Sequence, residues 1–353
     1  MANRHRILLA ASFLYLAAAN IIWIARDTRP PFWDMAAHQM GAVQIYDAFA
    51  NYGIRAFTLV PFLTGSYPPF YHSVVAVFYA LFGKTIDAAQ WAALPAIAIL
   101  FAATYGIGRS LFKPFPSAVA AAIVNFYPIL LWLSRETLID YWLTSIVSLG
   151  MWLLIRSNEF ANRKYAVLFG VVCGLGVLTK WTFVFFLVLP ALWFARKNFK
   201  NALIAAGIAA VLAAYWYAFA LDRLALLMNI NNAGGANEGD PNVLSLQAMM
   251  FYVRALEGYQ LFLPMFVAFI AGAMIVAKNY RPKWTPIILW LIGGWLGLML
   301  FQNKDPRYSA PLLPAVALIT ARTVQRKEFL AFVDCPLSHE NHVQLLRQRN
   351  RIR

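Results

Sequence analysis

Ionisable and aromatic side chains collect in five short segments, each at the edge of a long apolar run. The residues whose types suit chemistry are Asp34, His38, Tyr67, Arg135, Asp140, Lys180, Lys304, Arg307 and Tyr308. A carboxylate can accept a proton from a nucleophile, and Lys or Arg can hold a phosphate group. Ionisable groups are costly beside lipid, so their concentration at the edges of apolar runs indicates a functional site.

Several of these residues also have a purely structural interpretation. Asp34 precedes a segment with helical spacing, and Asp is favoured as a helix cap. His38 lies four residues further on, on the same helical face, so the two side chains could hold a divalent metal. Two ligands define a metal site only weakly, and the sequence leaves the metal unknown and names no certain cofactor.

The cations and the second carboxylate have similar alternatives. Asp140 could pair with Arg135 or Lys180 instead of acting on a substrate. Lys180 stands between two apolar runs, where a lysine that extends toward the membrane surface would also stand. Asp305 could neutralise its neighbours Lys304 and Arg307.

Composition places the elements that carry these residues in lipid. Of the 353 residues, 61% are hydrophobic and 13% are charged, with a mean hydropathy of +0.59, whereas about 25% charged residues is usual in a soluble domain. Backbone groups in lipid must bond within their own segment, so long apolar runs predict helices. We expect an all-α polytopic membrane protein with about ten transmembrane helices. The runs occupy 7–25, 91–108, 115–133, 141–155, 165–178, 182–195, 202–220, 260–277, 284–301 and 309–321.

Basic residues predict the orientation of these helices. The net charge of +15 comes from short clusters between apolar runs, which is typical of cytoplasmic loops and gives no sign of nucleic-acid binding. If all the clusters are cytoplasmic, 70–82 does not cross the membrane, and the first outer loop carries a surface helix over 35–49. The predicted outer connections are 26–90, 134–140, 179–181, 222–259 and 302–308.

Two further segments have a predicted organisation. The stretch 231–241 is dense in Asn and Gly and predicts a flexible loop that covers the site. Residues 1–321 form the predicted transmembrane domain, and 322–353 form a basic cytoplasmic tail.

Five motifs in this order resemble the GT-C membrane glycosyltransferases, in the branch of protein O-mannosyltransferases and lipid A aminoarabinose transferases. Asp34 matches the early Asp of the family, although Met35 replaces the usual Glu. Tyr67 stands where a basic residue precedes the Pro-Pro pair, here Pro68 and Pro69. The remaining matches are Arg135 with Asp140, Leu178-Thr179-Lys180 with Trp181 in place of Gly, and Lys304 with Tyr308.

The resemblance implies a transferase in the plasma (inner) membrane with its active site on the non-cytoplasmic face. Asp34 and Asp140 are then expected to be catalytic, and the other seven residues to bind substrate. The donor would be a polyprenyl-phosphate sugar, and the acceptor a protein, lipid or polysaccharide. The alternatives are a polyprenyl-linked glycan polymerase or ligase and a secondary transporter. A transporter would place its charges near the bilayer midplane in matching halves, which this sequence does not show.

Overall fold

The computed structural model describes residues 3–325, which fold into α-helices joined by short turns, as the sequence predicts. The predicted tail lies, from residue 326 onward, outside the described residues. The helices are α1 (Arg4–Ile24), α2 (Asp34–Tyr52), α3 (Val60–Leu63), α4 (Phe70–Phe82), α5 (Ile86–Trp91), α6 (Ala93–Leu111), α7 (Pro114–Asn125), α8 (Pro128–Leu133), α9 (Ile139–Arg156), α10 (Arg163–Val177), α11 (Phe183–Ala195), α12 (Phe199–Tyr217), α13 (Leu221–Asn237), α14 (Leu246–Ala255), α15 (Phe262–Lys278), α16 (Thr285–Leu298) and α17 (Leu313–Thr320). Short 3-10 helices cover Gly53–Thr58, Pro282–Trp284, Pro306–Leu312 and Thr323–Gln325, and a π-helical turn covers Leu256–Leu261.

The apolar runs of the sequence correspond to helices, but not all of these helices are long. Within residues 3–325, four helical stretches have the length and composition to cross a membrane: Arg4–Ile24, Ile86–Leu111, Phe199–Tyr217 and Leu246–Lys278. The others are shorter, partly because the chain breaks inside apolar runs, as between α7 and α8 before Pro128. A proline has no backbone N–H and disfavours helical geometry in the residue before it. The count of about ten spans therefore stays a prediction.

The prediction of a flexible loop over 231–241 is wrong for residues 231–237, because α13 continues to Asn237. Two contacts hold this helix against the connection that follows α16. The Asn232 side-chain oxygen accepts a hydrogen bond from the Gln302 backbone N–H, at 3.2 Å. Gly235 packs so closely that a Cβ there would lie 2.6 Å from Asn303 Cα. Tertiary contacts of this kind override the weak helix propensity of Asn and Gly.

Breaks between helices bring the chemistry-bearing residues together. Asp34 begins α2, Asp140 lies in the first turn of α9, and Lys180 lies in the break between α10 and α11. The Phe70 backbone N–H donates to the Leu178 carbonyl, at 3.0 Å, and so ties the first long connection to that break. A residue at a helix end can point its side chain toward a neighbouring end, and these ends surround one cavity.

Candidate functional site

The cavity has about 750 Å³ of empty volume, which includes space that is open to solvent. Its walls combine aromatic and apolar side chains, including Trp181 and Phe301, with a few polar groups. Seven of the nine residues predicted from sequence line it: Asp34, His38, Tyr67, Asp140, Lys180, Arg307 and Tyr308. Such a mixture of apolar walls and a few convergent polar groups is typical of a ligand site.

Two ion pairs dominate the electrostatics of the cavity. The Arg307 guanidinium donates to Asp34 Oδ2 from Nη2 at 2.6 Å, and Lys180 Nζ donates to Asp140 Oδ1 at 2.8 Å. The side chain of Asp34 is 38% exposed, whereas that of Asp140 is only 2% exposed. Asp34 is thus the carboxylate that an entering molecule can reach, and Asp140 is buried behind its lysine.

Arg307 is held in position by its own neighbour. Asp305 Oδ2 accepts from Arg307 Nε at 2.9 Å, and Asp305 Oδ1 accepts from the Arg307 backbone N–H at the start of the 3-10 helix. Burial opposes protonation of Arg307, but the negative charges of Asp140, Asp305 and Asp34 outweigh it and raise the pKa. The guanidinium therefore keeps its charge at any working pH.

The Tyr308 ring lies close to both cations. Lys180 Nζ lies 4.5 Å from the centroid of the Tyr308 ring, and the Arg307 guanidinium carbon lies 5.6 Å from it. Burial raises the pKa of the Tyr308 hydroxyl, so the ring stays neutral and its face can attract both cations.

The structure does not use Asp34 as a helix cap. The residue preceding α2 is Trp33, and no side chain caps this helix end. Trp33 has φ of 49°, a left-handed conformation that is costly for a large side chain, and strain of this kind is often found at functional sites. The Asp34 carboxylate instead turns toward Arg307.

His38 and Tyr67 form part of the cavity wall. The ring of His38 is buried and lies 4.7 Å from that of Tyr67, centroid to centroid. His38 Nδ1 is 3.1 Å from His72 Nε2, so this nitrogen is engaged with another side chain. In residues 3–325 no group of three or more His, Cys, Asp or Glu side chains is arranged to hold a metal ion.

Two predicted ligands lie elsewhere. Arg135 Nε donates to Asn20 Oδ1 at 3.0 Å, and its guanidinium carbon lies 4.6 Å from the Trp23 ring centroid, near the end of α1. Lys304 Nζ donates to the carbonyl groups of Leu298, at 3.0 Å, and of Phe301. The Leu298 carbonyl ends α16, where a cation is favourable. The structure thus gives Arg135 structural partners outside the cavity, and it gives Lys304 backbone partners at the cavity wall although Lys304 itself does not line the cavity.

Arg135 lies outside the cavity and Arg307 lines it, and the same substitution at each position tests this difference. Arg135→Gln removes a hydrogen bond and a ring contact together worth about 1–2 kcal/mol, so it should lower the thermal unfolding midpoint and leave donor affinity unchanged. If Arg307 binds the donor phosphate, as the sequence predicts, Arg307→Gln should weaken donor binding by about tenfold or more, because a charge-assisted contact would be lost. Unfolding in detergent and donor-binding titrations test both. Weakened donor binding in Arg135→Gln would return this arginine to the site.

Eleven cavity residues were not predicted from the sequence as site residues, and three of them are polar residues of α13 and α14. Asn231 and Asn232 come from α13, and Tyr252 comes from α14. The Asn pair was interpreted only as part of a turn. Two adjacent amides beside the apolar residues Leu227 and Met228 would have been the signal for a helix with a polar face toward a site.

Known proteins resemble the chain in sequence and in fold. Residues 66–220 match the family described as dolichyl-phosphate-mannose-protein mannosyltransferase. No curated protein sequence matches the chain. The crystal structure of ArnT from Cupriavidus metallidurans bound to undecaprenyl phosphate is 16% identical, with a TM-score of 0.69, and covers 92% of this chain and 61% of ArnT. The Archaeoglobus fulgidus oligosaccharyltransferase in complex with Zn and sulfate is 14% identical, with a TM-score of 0.55 over 92% of this chain and 50% of that protein.

The chain thus spans about half to three fifths of the length of these structural relatives. Its apolar helices, together with the family match over residues 66–220, make it a multi-pass membrane protein. The chain is thus similar to the dolichyl-phosphate-mannose-protein mannosyltransferase family in sequence over residues 66–220, and to ArnT in fold over most of its length.

Proposed function

We propose that the protein transfers a sugar from a polyprenyl-phosphate donor to an acceptor nucleophile on the non-cytoplasmic side of the membrane. The observation that carries this proposal is the pair of cation–carboxylate contacts, Arg307 with Asp34 and Lys180 with Asp140, in one cavity. The family supports a lipid-phosphate donor, and the related ArnT binds undecaprenyl phosphate. The related archaeal enzyme AglB binds dolichol-phosphate and an inhibitory peptide.

The charges that line the cavity are balanced before a substrate enters. Asp34 and Asp140 offset Arg307 and Lys180. A polyprenyl-phosphate sugar is a phosphodiester with one negative charge, and cleavage releases a phosphate monoester that approaches two negative charges at neutral pH. The two cations can turn from their carboxylates to the phosphate, and their attraction grows as the second charge develops. Interactions that strengthen in the transition state are the ones that accelerate a reaction.

Movement of Arg307 toward the phosphate would also free Asp34. The Asp34 carboxylate would then take the proton from an acceptor hydroxyl or amine, while the acceptor oxygen or nitrogen attacks the anomeric carbon. The bond from that carbon to the phosphate oxygen breaks, and its electrons leave with polyprenyl phosphate. Attack from the face opposite the leaving group would invert the anomeric centre, as in inverting glycosidases.

Asp140, predicted from sequence to be catalytic, is assigned a positioning role in this scheme. It is buried, and its carboxylate has Lys180 as its partner within the cavity. A buried carboxylate next to a lysine holds the ammonium group at a fixed place, where it can meet the phosphate. Tyr67 and Tyr308 would form the walls around the sugar and the phosphate.

The direct test is turnover by the purified protein with a panel of polyprenyl-phosphate sugars. Each donor is offered with peptide, lipid and polysaccharide acceptors, and released polyprenyl phosphate is measured. We expect release with one donor class, and a product whose anomeric configuration is inverted. Failure to cleave every donor with every acceptor would contradict the proposed function.

The proposed side of the membrane has its own test. A cysteine in α13 should react with an impermeant thiol reagent from the non-cytoplasmic side, and one at Lys200 should react from the cytoplasm. Ala236→Cys suits the first position because Ala236 is exposed, whereas a side chain at Gly235 would meet the backbone of Asn303. Labelling of both cysteines from the same side would overturn the predicted orientation.

A further inference from the structure

Two histidines form a buried chain of hydrogen bonds that ends at the cavity. His38 lies on α2 and His72 on α4, with relative exposures of 2% and 1%. His72 Nδ1 is 3.2 Å from the carbonyl oxygen of Pro68, and His72 Nε2 is 3.1 Å from His38 Nδ1. His38 itself lines the cavity.

The Pro68 carbonyl at one end of this hydrogen-bond chain determines which ring nitrogens carry protons. A carbonyl oxygen can only accept, so His72 Nδ1 must carry the proton that lies between it and Pro68. In a neutral imidazole the other nitrogen is then an acceptor, so His72 Nε2 receives a hydrogen bond from His38 Nδ1–H. By the same rule, His38 Nε2 carries no proton and has a free lone pair.

Both rings are expected to be neutral, which this assignment requires. Burial lowers the pKa of His38 well below its ordinary range, and the positive charges of Lys180 and Arg307 lower it further. No carboxylate hydrogen-bonds to either ring within residues 3–325. A buried cation without such a partner is strongly disfavoured.

The backbone of α2 is adapted to this contact. Gly41 lies three residues after His38, and a Cβ at that position would lie 2.9 Å from His72 Cδ2. Any larger residue would push the His72 ring away from its place between Pro68 and His38. The close approach of α2 and α4 thus depends on the absence of a side chain at Gly41.

We propose that His38 is a specificity-determining residue whose Nε2 accepts a hydrogen bond from a hydroxyl group of a bound substrate. His72 and Pro68 would act as positioning groups that keep this nitrogen unprotonated. His38 lies one helical turn after Asp34, so the hydroxyl group would be held beside the reacting groups. The hydroxyl belongs either to the transferred sugar or to the acceptor, and in both cases the inference rests on the proposed function.

The protonation pattern can be measured without any turnover. Nitrogen-15 NMR of histidine-labelled protein in nanodiscs reports which ring nitrogen carries the proton, and the His38→Gln spectrum identifies the His38 signals. We expect Nδ1–H and a bare Nε2 for both His38 and His72. Gly41→Ala should disturb this pattern in both rings. A protonated Nε2 on His38 in the wild type would overturn the inference.

The substrate contact has a kinetic test. His38→Leu should reduce kcat/KM by about ten- to a hundredfold, the usual cost of one hydrogen bond to a substrate hydroxyl. His38→Gln should recover much of this loss, because the Gln amide can donate to His72 and accept from the hydroxyl. Gly41→Ala should cause a loss of the same kind with His38 unchanged. Equal losses in His38→Leu and His38→Gln would indicate a packing role and contradict the proposal.

Substrate analogues identify the source of the hydroxyl. A deoxy donor that lacks the relevant sugar hydroxyl should be a poor substrate for the wild type but no worse for His38→Leu than the full donor. The same pattern with a deoxy acceptor would place the contact on the acceptor instead. If every deoxy analogue is as poor a substrate for His38→Leu as it is for the wild type, relative to the full substrate, the inference about His38 is overturned and the proposed function is not affected. Lack of wild-type turnover with any donor would overturn the proposed function, and this inference with it.

Discussion

Asp34→Asn is expected to lower the rate of sugar transfer by about 10²- to 10⁴-fold while donor affinity stays close to that of the wild type. This range is the usual effect of removing a general base, and it corresponds to about 3–5 kcal/mol of transition-state stabilisation. Asn has the shape of Asp, and its amide oxygen can still accept the hydrogen bond from Arg307. It cannot take the proton of the acceptor, so binding is retained and the chemical step is lost.

The measurement is a single-turnover rate in nanodiscs, with donor affinity determined in parallel. The matched control is Asp47→Asn, because Asp47 lies on the same helix and also has a cation partner, Lys84, at 2.9 Å. Each side chain of that pair is about 45% exposed, and neither lines the cavity. Asp47→Asn should therefore transfer sugar at the wild-type rate. Near-native turnover in Asp34→Asn would remove this carboxylate from the mechanism.

The sequence predicted the helices and the charged residues of the cavity for one physical reason. Lipid requires long apolar runs, so an ionisable residue is tolerated mainly where a run ends. Asp34, Asp140, Lys180 and Arg307 all occupy such ends, and helix ends that lie at the same level can meet. Seven of the nine predicted residues line the cavity for this reason.

The position of a residue at the edge of an apolar run does not determine where its long side chain points. This explains why Arg135 and Lys304 do not line the cavity. Arg135 stands five residues before Asp140, yet the turn between α8 and α9 directs it toward Asn20 and Trp23. Lys304 has a stem long enough to reach back to the Leu298 carbonyl at the end of α16. Only the three-dimensional path of the chain distinguishes these cases from Lys180 and Arg307.

Local composition predicted the wrong structure for α13, because the segment that packs against this helix is distant in sequence. Asn and Gly favour turns when they are considered alone. In the folded chain the same small and polar side chains allow α13 to approach Gln302 and Asn303 closely. The prediction of a loop needed the one fact that sequence spacing does not supply, namely which segment packs against this one.

The second large effect is expected at the Lys180–Asp140 pair, and it requires two variants. Lys180→Met should weaken donor binding as well as turnover, because the lysine is proposed to contact a phosphate that is charged in the bound donor and more so as it leaves. The single substitution also leaves the Asp140 carboxylate buried without its partner. Breaking a buried pair in this way typically costs about 3–5 kcal/mol of stability, which would obscure the effect on binding.

The double variant Lys180→Met/Asp140→Asn removes both charges and so avoids the unpaired carboxylate. We expect its thermal unfolding midpoint to lie above that of Lys180→Met, because no buried charge remains without a partner. Its donor affinity should still be at least tenfold below that of the wild type, since one charge-assisted phosphate contact is missing. The variant Asp140→Asn alone keeps the lysine and should bind donor more tightly than the double variant does. These comparisons separate the two possible roles of Lys180, which are phosphate binding and neutralisation of Asp140. Stability should depend on whether the buried charges are paired, whereas donor affinity should depend on whether the lysine is present. A double variant that is stable and binds donor as the wild type does would show that Lys180 only neutralises Asp140.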